Sequence, residues 1–195
     1  MNRLENVEFV NMCMIYDGEK ILVQEWVKSD WPGITFPGRH VERGESFTDA
    51  VIREVKEETG LTISKPQLCG IKDWYDDKDF RYVVLLYKTE DYSGVLQSSD
   101  EGKVWWEDFK NFSHLKLATS DMSEMLRVFL EDDLSEFFTI KTVTTRFMTW
   151  SRTKGVWDKI VLSHKKARDS QLWNSSFLIF SRSLIVFKDI IGHEH

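Results

Sequence analysis

The alternation of apolar and polar residues lays out most of the chain before any chemistry is considered. Val7 to Tyr16 and Lys20 to Val27 are strand-like runs, and the Asp17-Gly18 pair between them has the residue types of a hairpin turn. A loop follows from Lys28 to Arg39, holding Trp31, Pro32, Gly33, Pro37 and Gly38, with Ile34-Thr-Phe as a short extended piece inside it. Ser46, with Asp49 three residues on, predicts a helix N-cap with an acidic partner in the first turn. The helix runs from about Phe47 to Thr59, and Gly60 is placed to close it. Phe47, Val51 and Val55 form an apolar stripe that packs on a sheet and leaves the carboxylates pointing outward.

Ile63 to Asp73 and Phe80 to Thr89 predict two further strands, separated by the polar turn around Asp76. Gly102 to Glu107 predicts a short strand in which alternation turns one of Trp105 and Trp106 inward. Asp121 to Glu131 predicts a second helix, with Met122, Met125, Leu126 and Phe129 at core spacing. Strands, a long helix, more strands and a closing helix describe an α/β sandwich. Beyond Lys141 the period is lost. Thr142 to Trp150 has strand-like residues, and Phe177 to Ile191 is apolar with Arg182, Ser183 and Lys188 scattered through it. An accessory subdomain, a dimerisation arm and a poorly ordered tail all fit that stretch. The chain divides accordingly into a domain over 1–140 and a C-terminal segment over 141–195.

Charge sharpens this division. Residues 1–140 carry 16 Lys and Arg against 28 Asp and Glu, whereas residues 141–195 carry 10 against 4. An acidic domain repels a nucleic-acid backbone, so a small charged substrate is expected rather than a polymer. No window of apolar residues is long enough to span a bilayer, and the polar N-terminus does not resemble a signal peptide. Cys13 and Cys69 sit in apolar runs without metal-ligand spacing, as expected for free thiols in a reducing cytoplasm. Monomer and homodimer are both open.

The chemistry concentrates on the first helix. Glu45, Glu54, Glu57 and Glu58 stand beside a single arginine, Arg53, and helical spacing brings Glu57 and Glu58 to the face of Glu54. An acidic helix face is ordinarily a solvated surface with weak ion pairs. Like charges gathered this densely repel, however, and a divalent cation reverses the sign because hard oxygen donors are what it takes. A metal held by carboxylates commonly serves phosphate chemistry.

The spacing also matches a known pattern. Glu45, seven residues, Arg53-Glu54-Val55, one residue, Glu57-Glu58, one residue, Gly60-Leu61 resembles the motif of the Nudix hydrolases. Six fixed positions, each filled at ordinary residue usage, coincide at a given place in a sequence only about once in ten million. Where the family pattern opens on glycine, this chain has Arg39, preceded by Pro37-Gly38. A side chain there either points toward the phosphates or, if the backbone must take positive φ, carries strain. The resemblance covers roughly residues 5 to 140 and implies an α/β/α sandwich with a mixed β-sheet.

It also implies roles. Glu54, Glu57 and Glu58, with Glu45 and Glu101 as further candidates, would hold magnesium (Mg2+), or manganese (Mn2+) in its place. One of the glutamates accepts a proton from the attacking water, and Arg53 orients a neighbouring glutamate. The catalytic candidates are thus Glu57, Glu54, Arg53 and Glu101. The implied reaction is that of the MutT-type branch, hydrolysis of a nucleoside triphosphate such as 8-oxo-dGTP to monophosphate and pyrophosphate. Hydrolysis of ADP-ribose or another nucleoside diphosphate derivative is the alternative, and a non-catalytic nucleotide-binding or protein-interaction module is the contrasting class. Candidate substrate contacts are Arg39 and His40 toward phosphate, Trp31, Trp74 and Tyr75 as stacking surfaces, and Asn111 in a late loop.

Overall fold

The computed structural model describes residues 4–27, 32–76, 78, 80–140, 146–153 and 156–163, the last two stretches by their backbone. Eleven strands and two α-helices follow one another among these residues. They are β1 Val7–Asp17, β2 Lys20–Trp26, β3 Gly33–Thr35, α1 Phe47–Thr59, β4 Leu61–Ile63, β5 Gln67–Tyr75, β6 Arg81–Thr89, β7 Tyr92–Gly94, β8 Gly102–Asp108, α2 Met122–Leu130, β9 Glu136–Ile140, β10 Arg146–Thr153 and β11 Val156–Ser163. A six-residue 3₁₀ helix, Phe109–His114, follows β8.

Nine strands join in the order β11-β10-β9-β5-β6-β1-β2-β3, with β8 also paired to β2, while β4 and β7 form a separate ribbon. The sheet is mixed, since β1 runs parallel to β6 and β5 parallel to β9 while the other pairs are antiparallel. Its two faces carry separate cores. On one, Val51 and Val55 of α1 meet Cys13, Ile15, Leu22 and Leu85. On the other, Met122, Met125, Leu126 and Phe129 of α2 meet Met12, Met14, Phe36, Val84 and Leu86. This is the helix-sheet-helix sandwich that the periodicity and the resemblance predict. Alternation along β1 does the sorting, because successive side chains feed opposite layers.

Three expectations change in detail. The predicted strand from Ile63 to Asp73 is two strands, β4 and β5, because Lys65 takes a positive φ of 47° immediately before Pro66 and breaks the run. Trp105 and Trp106 do not divide into one inward and one outward residue. Each packs on the core of its own face, because both faces of the sheet are covered. Finally, α2 does not close the chain: β9 pairs with β5 and extends the sheet into β10 and β11. The apolar run from Phe177 to Ile191 lies outside the described residues.

The strand feature that matters most for the site is the edge of β1. Strand β2 pairs with it only at Tyr16↔Ile21 and Asp17↔Lys20, on either side of the Gly18-Glu19 turn, and then diverges. The vacated edge is taken by the loop after β3. Asn11 N donates to Arg39 O at 2.7 Å, Cys13 N to Pro37 O at 2.8 Å, and Val41 N to Phe9 O at 2.9 Å.

Candidate active site

Helix α1 starts and stops where its caps dictate. The Ser46 hydroxyl accepts from Asp49 N at 3.0 Å and donates to the Asp49 carboxylate at 2.7 Å. Gly60 ends the helix in the left-handed region with φ 72°, its N–H bonded to Lys56 O. Between these caps, Val51 and Val55 go to the core while Phe47 stays 41% exposed, tilted against Phe9 with ring centroids 5.1 Å apart.

The carboxylates do not all point outward as expected. Glu57 does, with its side chain 59% exposed. Glu54 and Glu58 are only 6% and 2% exposed, turned under the loop that edges β1. The physical reason is helix geometry: Glu54 and Glu58 stand three and seven positions after Val51, on the same stripe as Val51 and Val55. Gly38 meets Glu58 there: its φ is +135°, and a Cβ on it would sit 2.5 Å from Asn11 O, so the loop passes hard against β1. In that position the Gly38 N–H donates to Glu58 Oε2 at 2.7 Å and holds the carboxylate in the interior.

Glu58 Oε1 is buried with no hydrogen-bond donor, and the Glu101 carboxylate stands beside it. Burial, and next the contact with Glu101, push Glu58 up to about 8. Burial also raises Glu54, against the opposing effect of Arg53.

Arg53 holds three of the acids. Its Nε and Nη2 clamp the two oxygens of Glu45 at 2.9 and 2.8 Å, and Nη1 reaches Glu54 Oε1 at 2.7 Å and Glu57 Oε2 at 3.2 Å. Nη2 also donates to the His40 carbonyl at 3.4 Å, tying helix to loop. The fork lowers the Glu45 carboxyl, chiefly through its hydrogen bonds, and raises Arg53 in turn. A lysine has no such fork.

Arg39 is not strained. Among the described residues Lys65 is the only non-glycine with positive φ, and the special backbone falls on Gly38, one position earlier. The Arg39 guanidinium donates to Glu101 Oε1 and lies 5.3 Å over the Trp26 ring. Glu101 reaches this place because Gly102 pairs with Trp26 at the end of β8 nearest the loop.

The remaining candidates separate. His40 faces Glu8 at 3.5 Å, both about half exposed, so its carbonyl rather than its ring joins the cluster. Trp74 stacks on Tyr82 with centroids 5.2 Å apart, on the α2 face of the sheet. Tyr75 alternates to the other side and donates to Glu5 at 2.7 Å, with Arg81 over its ring. Asn111 is not brought to the cluster: its amide donates to Glu107 at 2.8 Å beyond Asp108, the end of β8 opposite Glu101. The length of β8 puts roughly 20 Å between them. Trp31 lies outside the described residues.

Two further residues, Asn11 and Trp26, belong here. Asn11 accepts from Arg39 N at 3.4 Å while its Nδ2 is buried without a partner, and Trp26 backs Arg39. The signal for Asn11 is a polar residue inside the apolar run Val10 to Ile15.

This donor set suits a hard divalent cation. It consists of carboxylate oxygens, and one of them, Glu58 Oε1, is buried with no donor to satisfy it. Among the described residues no group of three acids is gathered ready for a metal. Arg53 and Arg39 hold four of the five, so these arginines stand where metal charge would.

Comparison with known proteins identifies the family. The NUDIX domain family matches residues 9–129. The Nudix hydrolase YvcI of Bacillus subtilis is 34% identical over 118 residues, covering 57% of this chain and 73% of that protein. The ADP-ribose pyrophosphatase of Methanocaldococcus jannaschii is 27% identical over 119 residues, covering 60% of this chain and 69% of the relative. Among solved structures, the MutT protein of Bacillus halodurans superposes with a TM-score of 0.58 at 23% identity, over 79% of this chain and 97% of its own. The chain belongs to the Nudix family and is a Nudix pyrophosphohydrolase, built on the α/β sandwich described above. Nudix hydrolases act on small nucleotide substrates and generally use divalent metal ions.

Proposed function

We propose that this protein hydrolyses a purine nucleoside triphosphate, with 8-oxo-dGTP the leading candidate, to the monophosphate and pyrophosphate. The reading rests on the acid cluster of Glu45, Glu54, Glu57, Glu58 and Glu101 threaded by Arg53, the arrangement suited to a polyphosphate bridged by a cation. Glu54, Glu57, Glu58 and Glu101 would hold Mg2+ or Mn2+, with Glu45 reserved to fix Arg53. When bound, the cation neutralises phosphate-oxygen charge and lowers the pKa of water.

The chain's own residues do the positioning. Arg53 Nη1 occupies Oε1 of Glu54, which leaves Oε2 to accept the proton of the attacking water. As the water oxygen bonds to the β phosphorus, that phosphorus loses its bond to the α–β bridging oxygen; the nucleoside monophosphate leaves with the bridging oxygen and the water oxygen stays in pyrophosphate. Little covalent help is needed for such an in-line displacement; orientation and electrostatics supply most of the rate.

A second reading, hydrolysis of ADP-ribose, is favoured by the archaeal relative of that activity. Turnover of 8-oxo-dGTP, dGTP, ADP-ribose and a dinucleoside polyphosphate with Mg2+, Mn2+ and EDTA separates the two. Activity that needs the cation and is highest on the oxidised triphosphate is expected; equal or better turnover of ADP-ribose would replace the leading substrate.

A further inference from the structure

The residue that departs from the family pattern is also the one that takes a carboxylate away from the metal set. Arg39 stands where the pattern has glycine, a residue with no side chain to offer. Its guanidinium pairs with Glu101, and the Trp26 ring backs it at 5.3 Å. The pairing is built into the backbone: Asn11 holds Arg39 on both sides, accepting from its N–H and donating to its carbonyl. The side chain is about one-third exposed, so it lies within reach of an incoming phosphate. The same guanidinium acts on Glu54 across the cluster.

We propose that Arg39 is an internal counter-cation of Glu101 that a metal–nucleotide complex displaces, so that metal and nucleotide bind cooperatively. In the free protein Arg39 competes with the divalent ion for one oxygen donor. A nucleotide arriving with the ion offers the guanidinium a phosphate instead, which releases Glu101 to the metal. Each ligand then tightens the other, as linkage requires. Arg39 acts here as a positioning residue. The proposal rests on the metal-binding reading of the cluster given above.

The test is Mn2+ binding followed by loss of the free-ion electron paramagnetic resonance signal, with and without α,β-methylene-dGTP, which binds but is not cut between those phosphates. Without nucleotide, Arg39→Ala should bind Mn2+ about tenfold more tightly than the natural protein. With the analogue, that advantage should vanish, because the variant has lost the coupling. Arg39→Lys, which keeps charge but not the fork, should fall between them. The Glu101→Gln background separates direct competition from a general field effect, since Arg39→Ala should gain little there.

An equal gain in both backgrounds, or no gain in either, overturns the proposal while leaving the metal site intact. Failure of every variant to take up Mn2+ would remove the metal site itself, and this proposal with it. Cooperative binding as described, with no hydrolysis of any nucleotide, would uphold the proposal and overturn the enzymatic substrate assignment instead.

Discussion

The Gly38 amide donates to Glu58 Oε2 at 2.7 Å, and that bond holds the carboxylate in the interior on the buried face of its helix. The partner oxygen, Oε1, is buried without a donor. Function and stability therefore pull against each other at this residue.

Replacing Glu58 by Gln keeps an acceptor for Gly38, supplies an N–H toward Glu101 and removes the buried charge. In EDTA at pH 8 the variant should melt several degrees above the natural protein, since about 1 kcal/mol shifts the midpoint by roughly 2–4 °C in a chain of this size. Its kcat should fall by at least about a hundredfold. Calorimetry and a turnover assay together check this, and a variant that is both less stable and fully active would contradict it.

Stability of the metal-free protein should also depend on pH through the same group. Glu58 lies near 8 in the folded chain against an ordinary value of 4.5, so the folded state holds this proton more tightly than the unfolded state. Its stabilising contribution is complete below pH 4.5 and is lost as pH rises through about 8. The natural protein should accordingly lose ground to Glu58→Gln between pH 5 and 8. Added Mg2+ should reverse the loss, and more strongly at pH 8 than at pH 6, because a cation favours the ionised carboxylate. Melting curves of both proteins across that range, with and without Mg2+, decide it.

Arg53→Lys should lower kcat by roughly ten- to a hundredfold with KM little changed, as loss of an orienting partner does. One ammonium cannot clamp both Glu45 oxygens while still reaching Glu54. Steady-state kinetics test this, and a rise in KM alone would point to direct substrate contact instead.

Gly38→Ala should destabilise the protein by at least about 2 kcal/mol, from a left-handed backbone and from the close approach to Asn11 O. Arg39→Ala, one residue on, meets no backbone strain and should cost less, losing only the pairing with Glu101 and the contact with Trp26. Chemical denaturation of the pair locates the backbone constraint at 38 or at 39.

How much of this was legible in the sequence follows from which interactions are local. The caps and length of α1 were, because Ser46, Asp49 and Gly60 act within one turn. The places of Glu45, Glu54, Glu57 and Glu58 were too, because helical spacing and the motif fix them, whereas Glu101 came only from the resemblance at the start of the Trp105-Trp106 strand. The burial of Glu58 was legible in its place seven positions after Val51 on the apolar stripe, although it was not read that way; its bond to Gly38 was not, since that residue approaches from a loop twenty positions away. Nor was the remoteness of Asn111, which follows from the register of β8 on β2. The split between β4 and β5 at Lys65-Pro66 was visible as a proline but not as a strand boundary, and β9 was overlooked because five residues give too short an alternation to distinguish from a loop.

The shared edge of β1 has a consequence for how the enzyme can move. A strand edge left bare is a template for other chains, and here the upper half of that edge is covered by the loop of Pro37 to Val41 instead of by β2. Were that loop to swing away as a lid, it would uncover the amides of Asn11 and Cys13 and invite association between molecules. Substrate entry is therefore expected through side-chain rearrangement around a fixed backbone, with the loop serving as the last strand of its sheet.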